Sequence, residues 1–301
     1  MPTRQGSIRL FRLFGITVYL HWSWFLVLVY FLTILHGVPP VLIVLVCVSL
    51  FAIVLMHEFG HQLACRQVGG QTHDIVLWPL GGVAYVSPPQ RPGATLWSIA
   101  AGPLVNVLLF PIFGALFWLA VSAGWQDTHP EVSAYILYLF KINILLLFFN
   151  LLPIYPLDGG QILRSLLWFV FGKARSLMIA SVIGFIGVPV LIGIAFYKGN
   201  PILGFICVFI VLNCWSGLMQ ARAMARMANA PRRAGCACPV CKAPPPVGAF
   251  WRCGRCRQPF DIFESGGLCA RCHVQYTATN CPECGNLRPI SEWSSAVPPY
   301  L

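Results

Sequence analysis

Apolar residues in this chain come in long runs, and polar residues collect at the ends of those runs rather than alternating with them. Six runs approach or exceed the ~20 residues that cross a hydrocarbon core as a helix: Ile16–Leu35, Val41–Ala64, Leu96–Ala123, Val132–Leu152, Leu177–Tyr197 and Ile202–Leu218. Each is predicted to be a transmembrane helix, because a lone helix satisfies its backbone N–H and C=O groups where no water can. The pattern changes between the second and third runs. There Gln71–Gln90, QTHDIVLWPLGGVAYVSPPQ, is too short and too broken by Pro and Gly to span, and DIVLW and VAYV flank PLGG as hairpin strands would. A strand pair lying near the membrane surface is expected. Beyond Met227 the apolar pattern stops. ANAPRRAG reads as a linker over 228–235, and a small cysteine-rich domain is expected over 236–293, followed by a tail, 294–301.

Composition agrees with a bilayer as solvent: 57% of residues are hydrophobic and 10% charged, which does not fit the surface of a soluble domain. The formal charge of +11 comes from basic residues scattered over loops rather than from one block, so it reads as topology and not as a nucleic-acid patch. Arg4, Arg9 and Arg12 precede the first run, Arg66 and Arg91 follow the second, Arg164, Lys173 and Arg175 follow the fourth, and Arg222 and Arg226 follow the sixth. The opposite loops, HGVPP, WQDTHPE and YKGNP, hold Lys198 alone. Basic residues stay on the cytoplasmic side. Six crossings with this bias put both termini in the cytosol, as suits a bacterial inner-membrane protein.

Thirteen cysteines change the picture at the C-terminus, where eight form four C-x-x-C pairs: Cys238 and Cys241, Cys253 and Cys256, Cys269 and Cys272, Cys281 and Cys284. Each pair turns two thiolates toward one ion, and two pairs close a tetrahedral structural zinc site, so two zinc ions are expected. Pairing the first with the second and the third with the fourth is simplest, and an interleaved arrangement stays open. A thioredoxin-like redox role needs a βαβ setting that this segment lacks. The tail resembles a double zinc ribbon, a module that binds proteins or nucleic acid. The membrane anchor argues against nucleic acid and for a regulatory or substrate-recruiting contact with a cytosolic protein. His273 follows Cys272 as a neighbour rather than a ligand. Cys47, Cys65, Cys207 and Cys214 read as small buried apolar residues. The expected fold class is mainly α: a polytopic helical membrane protein with about six transmembrane helices, a short membrane-associated β-hairpin and a small cytosolic zinc-ribbon domain.

Polar groups inside the runs are the candidate chemistry. MHEFGH places His57, Glu58 and His61 at the end of the second run, where each ionisable group costs ~2.5–3.5 kcal/mol if unpartnered. Positions i and i+4 share one helix face, so the two imidazoles can hold one metal ion with Glu58 beside them. A catalytic zinc needs a third protein ligand. Asp158, in NLLPIYPLDGGQ at the same end of the fourth run, is the candidate; the alternative is a helix N-cap for the segment that follows. Asn150, eight residues earlier, is a candidate oxyanion donor. Asn106 is expected to make an interhelical hydrogen bond, with Gly102 and Pro103 allowing close approach. His21 is read as an interfacial contact, His73 as a minor ligand candidate, and Lys141 has no assigned role.

MHEFGH, GPLVN at Gly102–Asn106 and NLLPIYPLDGG at Asn150–Gly160 resemble, in order, the three motifs of the site-2 protease family of intramembrane zinc metalloproteases. The resemblance covers most of residues 8–220. It implies that residues 1–227 form a membrane-embedded protease domain, with His57, His61 and Asp158 as zinc ligands and Glu58 as general base and acid. It further implies that the activity is endopeptidase cleavage of transmembrane segments, in regulated proteolysis or clearance of membrane peptides, and that the PLGG hairpin presents an edge strand to substrate. No PDZ-like insertion is apparent, so the compact members of the family are the nearer likeness. The competing class is a noncatalytic zinc-bearing membrane adaptor that recruits partners through its ribbons. Glu58 separates the two, because a structural ion needs no adjacent acid. A transporter is a more distant third, since no internal repeat is visible.

Overall fold

The structure is a computed structural model that describes residues 6–34, 37–78, 81–198 and 201–294. Two compact units divide the chain, Met1–Leu218 and Met219–Leu301. The first unit begins with β1 (Ser7–Leu13), β2 (Ile16–His21) and α1 (Trp24–Ile34). It continues with α2 (Pro40–Gln67), β3 (Gln71–Trp78), β4 (Gly81–Ser87), α3 (Pro92–Ser122), the single turn α4 (Trp125–Thr128), α5 (Pro130–Leu151), α6 (Asp158–Lys198) and most of α7 (Pro201–Asn229). Among the described residues, five helices, α2, α3, α5, α6 and α7, are long and apolar enough to cross a membrane. They coincide with the last five expected runs.

The first run, expected as one span over Ile16–Leu35, is instead a six-residue strand followed by an eleven-residue helix. Phe14 and Gly15 take positive φ, 49° and 76°, and join Leu13 to its partner Ile16 through a two-residue turn. Two successive positive φ values suit the twist of a hairpin, so the β-branched ITV segment enters a ladder with β1. Mean hydropathy cannot see this, because an apolar strand running into an apolar helix has the composition of one long helix.

The four strands form one sheet in the order β1-β2-β3-β4, with β2 and β3 parallel and the other pairs antiparallel. The expected β3–β4 hairpin is present, although Pro79 and Leu80 of its turn lie outside the described residues. Ile16, Val18, Ile75 and Leu77 are fully buried and pack with Trp24 and Val54, against Leu50, Phe51, Leu55 and Phe59. Leu50, Phe51, Val54, Leu55 and Phe59 run along α2 from its middle toward His57 and His61. Arg66 ties the same end together, donating to the Phe14 carbonyl and the Thr72 hydroxyl. The sheet therefore stands beside the half of α2 that carries His57 and His61, with β4 as its edge on that side of the order. Farther along the chain, α6 is interrupted at Gly172 (φ 76°, ψ 170°). The 152–157 turn ahead of α6 packs Ile154 against Val188, Ile210 and Cys214.

The second unit holds β5 (Trp251–Arg252) paired with β6 (Pro259–Phe260), β7 (Ala278–Asn280) paired with β8 (Leu287–Pro289), and the turn α8 (Ser291–Ser294). The stretch expected as a linker is divided: α7 runs on to Asn229, and Arg233 already belongs to the folded unit. Its backbone N–H donates to Pro245, and its guanidinium lies 2.7 Å from the Asp261 carboxylate. Asp261, buried, also accepts from the backbone N–H groups of Gly248, Phe263 and Glu264. One carboxylate thus joins three loops.

Each C-x-x-C pair is built alike. The N–H of the residue after the second cysteine donates to the carbonyl of the first, at 2.8–2.9 Å, and that residue has positive φ: Lys242, Arg257, His273 and Gly285. A left-handed backbone costs a residue with a Cβ about 1–2 kcal/mol and costs glycine almost nothing. Replacing His273 or Arg257 by Gly in the full chain should therefore stabilise its knuckle by about 1 kcal/mol, read as roughly fivefold slower amide exchange over residues 253–274. Unchanged or faster exchange would show that the side chain makes contacts outweighing the strain.

Candidate metal centre

Several buried polar groups of the first unit converge at one place. His57 and His61 stand one turn apart on α2, about 26 Å along the helix from Pro40 at 1.5 Å per residue, and Asp158 reaches them from the first residue of α6. His57 Nε2 is 2.9 Å from Asp158 Oδ2, His61 Nε2 is 3.4 Å from the same oxygen, and the two Nε2 atoms are 3.1 Å apart. A tetrahedral zinc ion with ligand bonds of ~2.0–2.2 Å sets its ligand atoms about 3.3–3.5 Å apart, so the three donors fit one ion. Among the described residues, the Asp158 carboxylate contacts the two imidazoles.

The outer faces of the imidazoles complete the fit. His57 Nδ1 lies 2.7 Å from Asn106 Oδ1, and His61 Nδ1 lies 2.9 Å from the Ser98 backbone carbonyl. Both partners are acceptors, so each Nδ1 carries the hydrogen and each Nε2 offers its lone pair to the shared point. Asn106 does bond between helices, as expected, and its partners are His57 of α2 and Asn143 of α5. Asn143 and Ser98 were not signalled by sequence. Asn143 is seven residues ahead of Asn150, two turns along the same helix face, which is the trace such a search would use.

Close backbone approach shapes the surroundings. A Cβ at Gly102 would fall on His61 Cε1 and Nε2 and against His57 Nε2, so only glycine lets α3 lie on the converging nitrogens. A Cβ at Gly82 would meet the Glu58 side chain, which places the β4 backbone directly over the carboxylate. Glu58 is buried with the histidines. Gly159 and Gly160 allow α6 to start tight against the Leu151–Tyr155 backbone, which brings Asp158 inward. Asn150 is half-buried near the end of α5 and makes no side-chain hydrogen bond among the described residues. His73 is exposed on β3 and stands outside the histidine–aspartate group, His21 bonds Ser23 and packs on Trp22, and Lys141 is exposed on α5.

The cysteines of the second unit form two further groups, nested rather than sequential. Cys238, Cys241, Cys281 and Cys284 come together, and so do Cys253, Cys256, Cys269 and Cys272. The simplest pairing, first with second and third with fourth, is thereby corrected to first with fourth and second with third. The C-terminal end returns to the start of the unit: Ala237 N–H donates to the Trp293 carbonyl, and Trp293 packs with Cys238 and Cys281. Paired sulfurs lie 3.4–3.8 Å apart, close to the ~3.8 Å edge of a tetrahedron with 2.3 Å Zn–S bonds. The Cys256 backbone N–H and the Tyr276 hydroxyl draw the Cys253 thiol down to about 5, the thiolate form that binds metal.

A histidine pair with a facing aspartate, among helices long and apolar enough to cross a membrane, is a donor set that could hold one metal ion. The profile of peptidase family M50 matches residues 45–127 and 115–194, which hold both His57 and His61 and Asp158. The chain belongs to this family, the site-2 proteases. Zinc metalloprotease MJ0392 of Methanocaldococcus jannaschii is 33% identical over 180 residues, 59% of this chain and 50% of that protein. Stage IV sporulation protein FB of Bacillus subtilis is 36% identical over 126 residues, 41% of this chain and 39% of that protein. The match thus spans half or less of the length of these curated relatives. The solved site-2 protease from Methanocaldococcus jannaschii matches with a TM-score of 0.52 at 27% identity, covering 70% of this chain and 95% of that one.

Gly102→Ala tests the centre without touching a donor atom. The added methyl group occupies the convergence point, so zinc per purified chain should fall from about three to about two, the cysteine sites keeping theirs. An unchanged zinc content would mean that the ion is held elsewhere.

Proposed function

We propose that the protein is an intramembrane zinc endopeptidase that hydrolyses peptide bonds in transmembrane segments. The observation that carries this is the meeting of two imidazoles and one carboxylate at a single point in a membrane-embedded unit, with Glu58 next in sequence and covered by the β4 backbone. His57, His61 and Asp158 would hold the zinc ion. Bound there, it supplies a Lewis acid that acidifies a water molecule and polarises a carbonyl.

Glu58 takes the proton from the attacking water and later delivers it to the departing amine nitrogen, one carboxylate serving both steps. Burial keeps that proton from exchanging with bulk water. Substrate enters as an extended segment, because a peptide bond inside a helix is shielded by its own hydrogen bonds. Edge strand β4 offers unpaired backbone groups along the Glu58 side of the site, and β-augmentation there lays the scissile bond over the carboxylate. Asn150 is proposed as a donor to the developing oxyanion. Basic residues support an orientation with the site toward the cytoplasm: Arg66 and Lys173 make their contacts near the sheet, and both termini then face the cytosol of a bacterial inner membrane. The second unit, with two structural zinc ions, recruits a cytosolic protein or the substrate itself.

The adaptor alternative accounts for the metal groups and leaves Glu58 without a purpose. Glu58→Gln keeps the size of the side chain and removes the base. Purified in detergent and mixed with transmembrane-helix substrates, it should retain about three zinc ions per chain and lose at least ~10³-fold in cleavage rate relative to wild type. Equal cleavage would take the base role from Glu58, and no cleavage by a fully zinc-loaded wild type would favour the adaptor.

Substrate pairing has its own test. Of the adjacent residues Val83 and Ala84, one turns its N–H toward β3 and the other away from it. Proline at the outward position should cut cleavage at least ~10-fold with zinc content and helix content unchanged, since it removes a donor the folded protein does not use. Full activity in both proline variants would dismiss β-augmentation.

A further inference from the structure

We infer that Asn143, on α5, is a positioning residue for His57: acting through Asn106, it dictates which ring nitrogen carries the hydrogen and so keeps Nε2 free for a metal ion. This rests on His57 being a ligand, as proposed above. The assignment begins from the one group whose role is chemically fixed. The Asn106 backbone carbonyl can only accept, and Asn143 donates to it at 2.9 Å, so the amide nitrogen of Asn143 is on that side. The amide oxygen of Asn143 then faces the Asn106 side chain at 2.9 Å, and Asn106 must present its own NH2 there. Asn106 Oδ1 is left turned to His57 Nδ1 at 2.7 Å. An amide oxygen only accepts, so His57 Nδ1 bears the hydrogen.

Burial makes each step binding. Asn106 and Asn143 are wholly inaccessible and His57 is 5% exposed, so no water stands in for a mismatched partner. Turning Asn143 over would set oxygen against oxygen at one contact and hydrogen against hydrogen at the other, and turning Asn106 over would set its oxygen against that of Asn143. His61 has a different lock, the Ser98 main-chain carbonyl, which cannot turn. The two ligand histidines are therefore oriented by unlike means: one by backbone, the other by a two-amide relay that starts on the helix leading to Asp158. Without Asn143 the Asn106 amide is free to rotate, and its NH2 then faces Nδ1 and favours the tautomer with hydrogen on Nε2, which cannot bind metal.

The test reads tautomers and zinc separately, in the full-length chain. In metal-free protein with ¹⁵N-labelled histidine, above the pH at which imidazoles protonate, His57 and His61 should both show hydrogen on Nδ1. Asn143→Leu should shift His57 toward hydrogen on Nε2 and leave His61 unchanged, and weaken zinc at this centre by ~10–100-fold in chelator competition. Asn106→Asp, whose two oxygens both accept, should hold His57 in the Nδ1–H form whatever residue stands at 143, so that adding it to Asn143→Leu restores zinc affinity. If Asn143→Leu leaves His57 unchanged, or moves both histidines alike, the relay is overturned and Asn143 only joins helices. A selective tautomer shift with unchanged zinc affinity would uphold the relay and remove His57 from the ligand set.

Discussion

A polar group in hydrocarbon has no water to fall back on, and that constraint organises the membrane unit. Five ionisable or amide side chains, His57, Glu58, His61, Asn106 and Asn143, are buried where an unpartnered one is expensive. The two histidines and the two amides answer this by bonding to one another. Imidazole Nδ1 atoms turn outward to an amide and a carbonyl, Nε2 atoms turn inward to a carboxylate, and α2, α3, α5 and the start of α6 are held at the positions those bonds require. Helix packing in a bilayer lacks the hydrophobic drive available in water, so such bonds and close glycine contacts do much of the work of association. The metal centre and the helix bundle are stabilised by the same interactions.

The sheet solves a second problem raised by the same solvent. An open edge cannot face lipid, because its N–H and C=O groups would go unsatisfied. Here the sheet packs on α2 beside the histidines, and its β4 edge lies over Glu58. In the proposed reading, this edge is where an extended substrate would pair beside the acid. Glycine at 82 is what allows the approach to be so close.

The second unit has little apolar core and relies on other anchors. A unit of this size buries few large side chains, and small domains of this kind lean on metal or cross-links. Two groups of four cysteines and the buried Asp261, with its guanidinium and three backbone donors, take that part. Nesting the knuckles, first with fourth around second with third, makes the outer site clasp the ends of the unit. A sequential arrangement would have left each half to stand alone.

The sequence by itself determined much of this. Run lengths located five membrane-crossing helices, because a helix in lipid must be both long and apolar. The spacings of MHEFGH and C-x-x-C pointed to candidate metal donors, since i, i+4 on a helix and two residues in a turn are local geometries that a chain carries with it. Only the tertiary structure decided what depends on distant segments meeting. It divided Ile16–Leu35 into strand and helix, because the Phe14–Gly15 turn pairs β1 with β2 and hydropathy is blind to pairing. It chose the partners of the knuckles, which are identical in local form and therefore silent about one another. It also brought Asn143 to Asn106 and Gly82 to Glu58, contacts between residues whose neighbours in sequence give no hint of them, because hydrogen-bond partners across helices are set by packing and not by order along the chain.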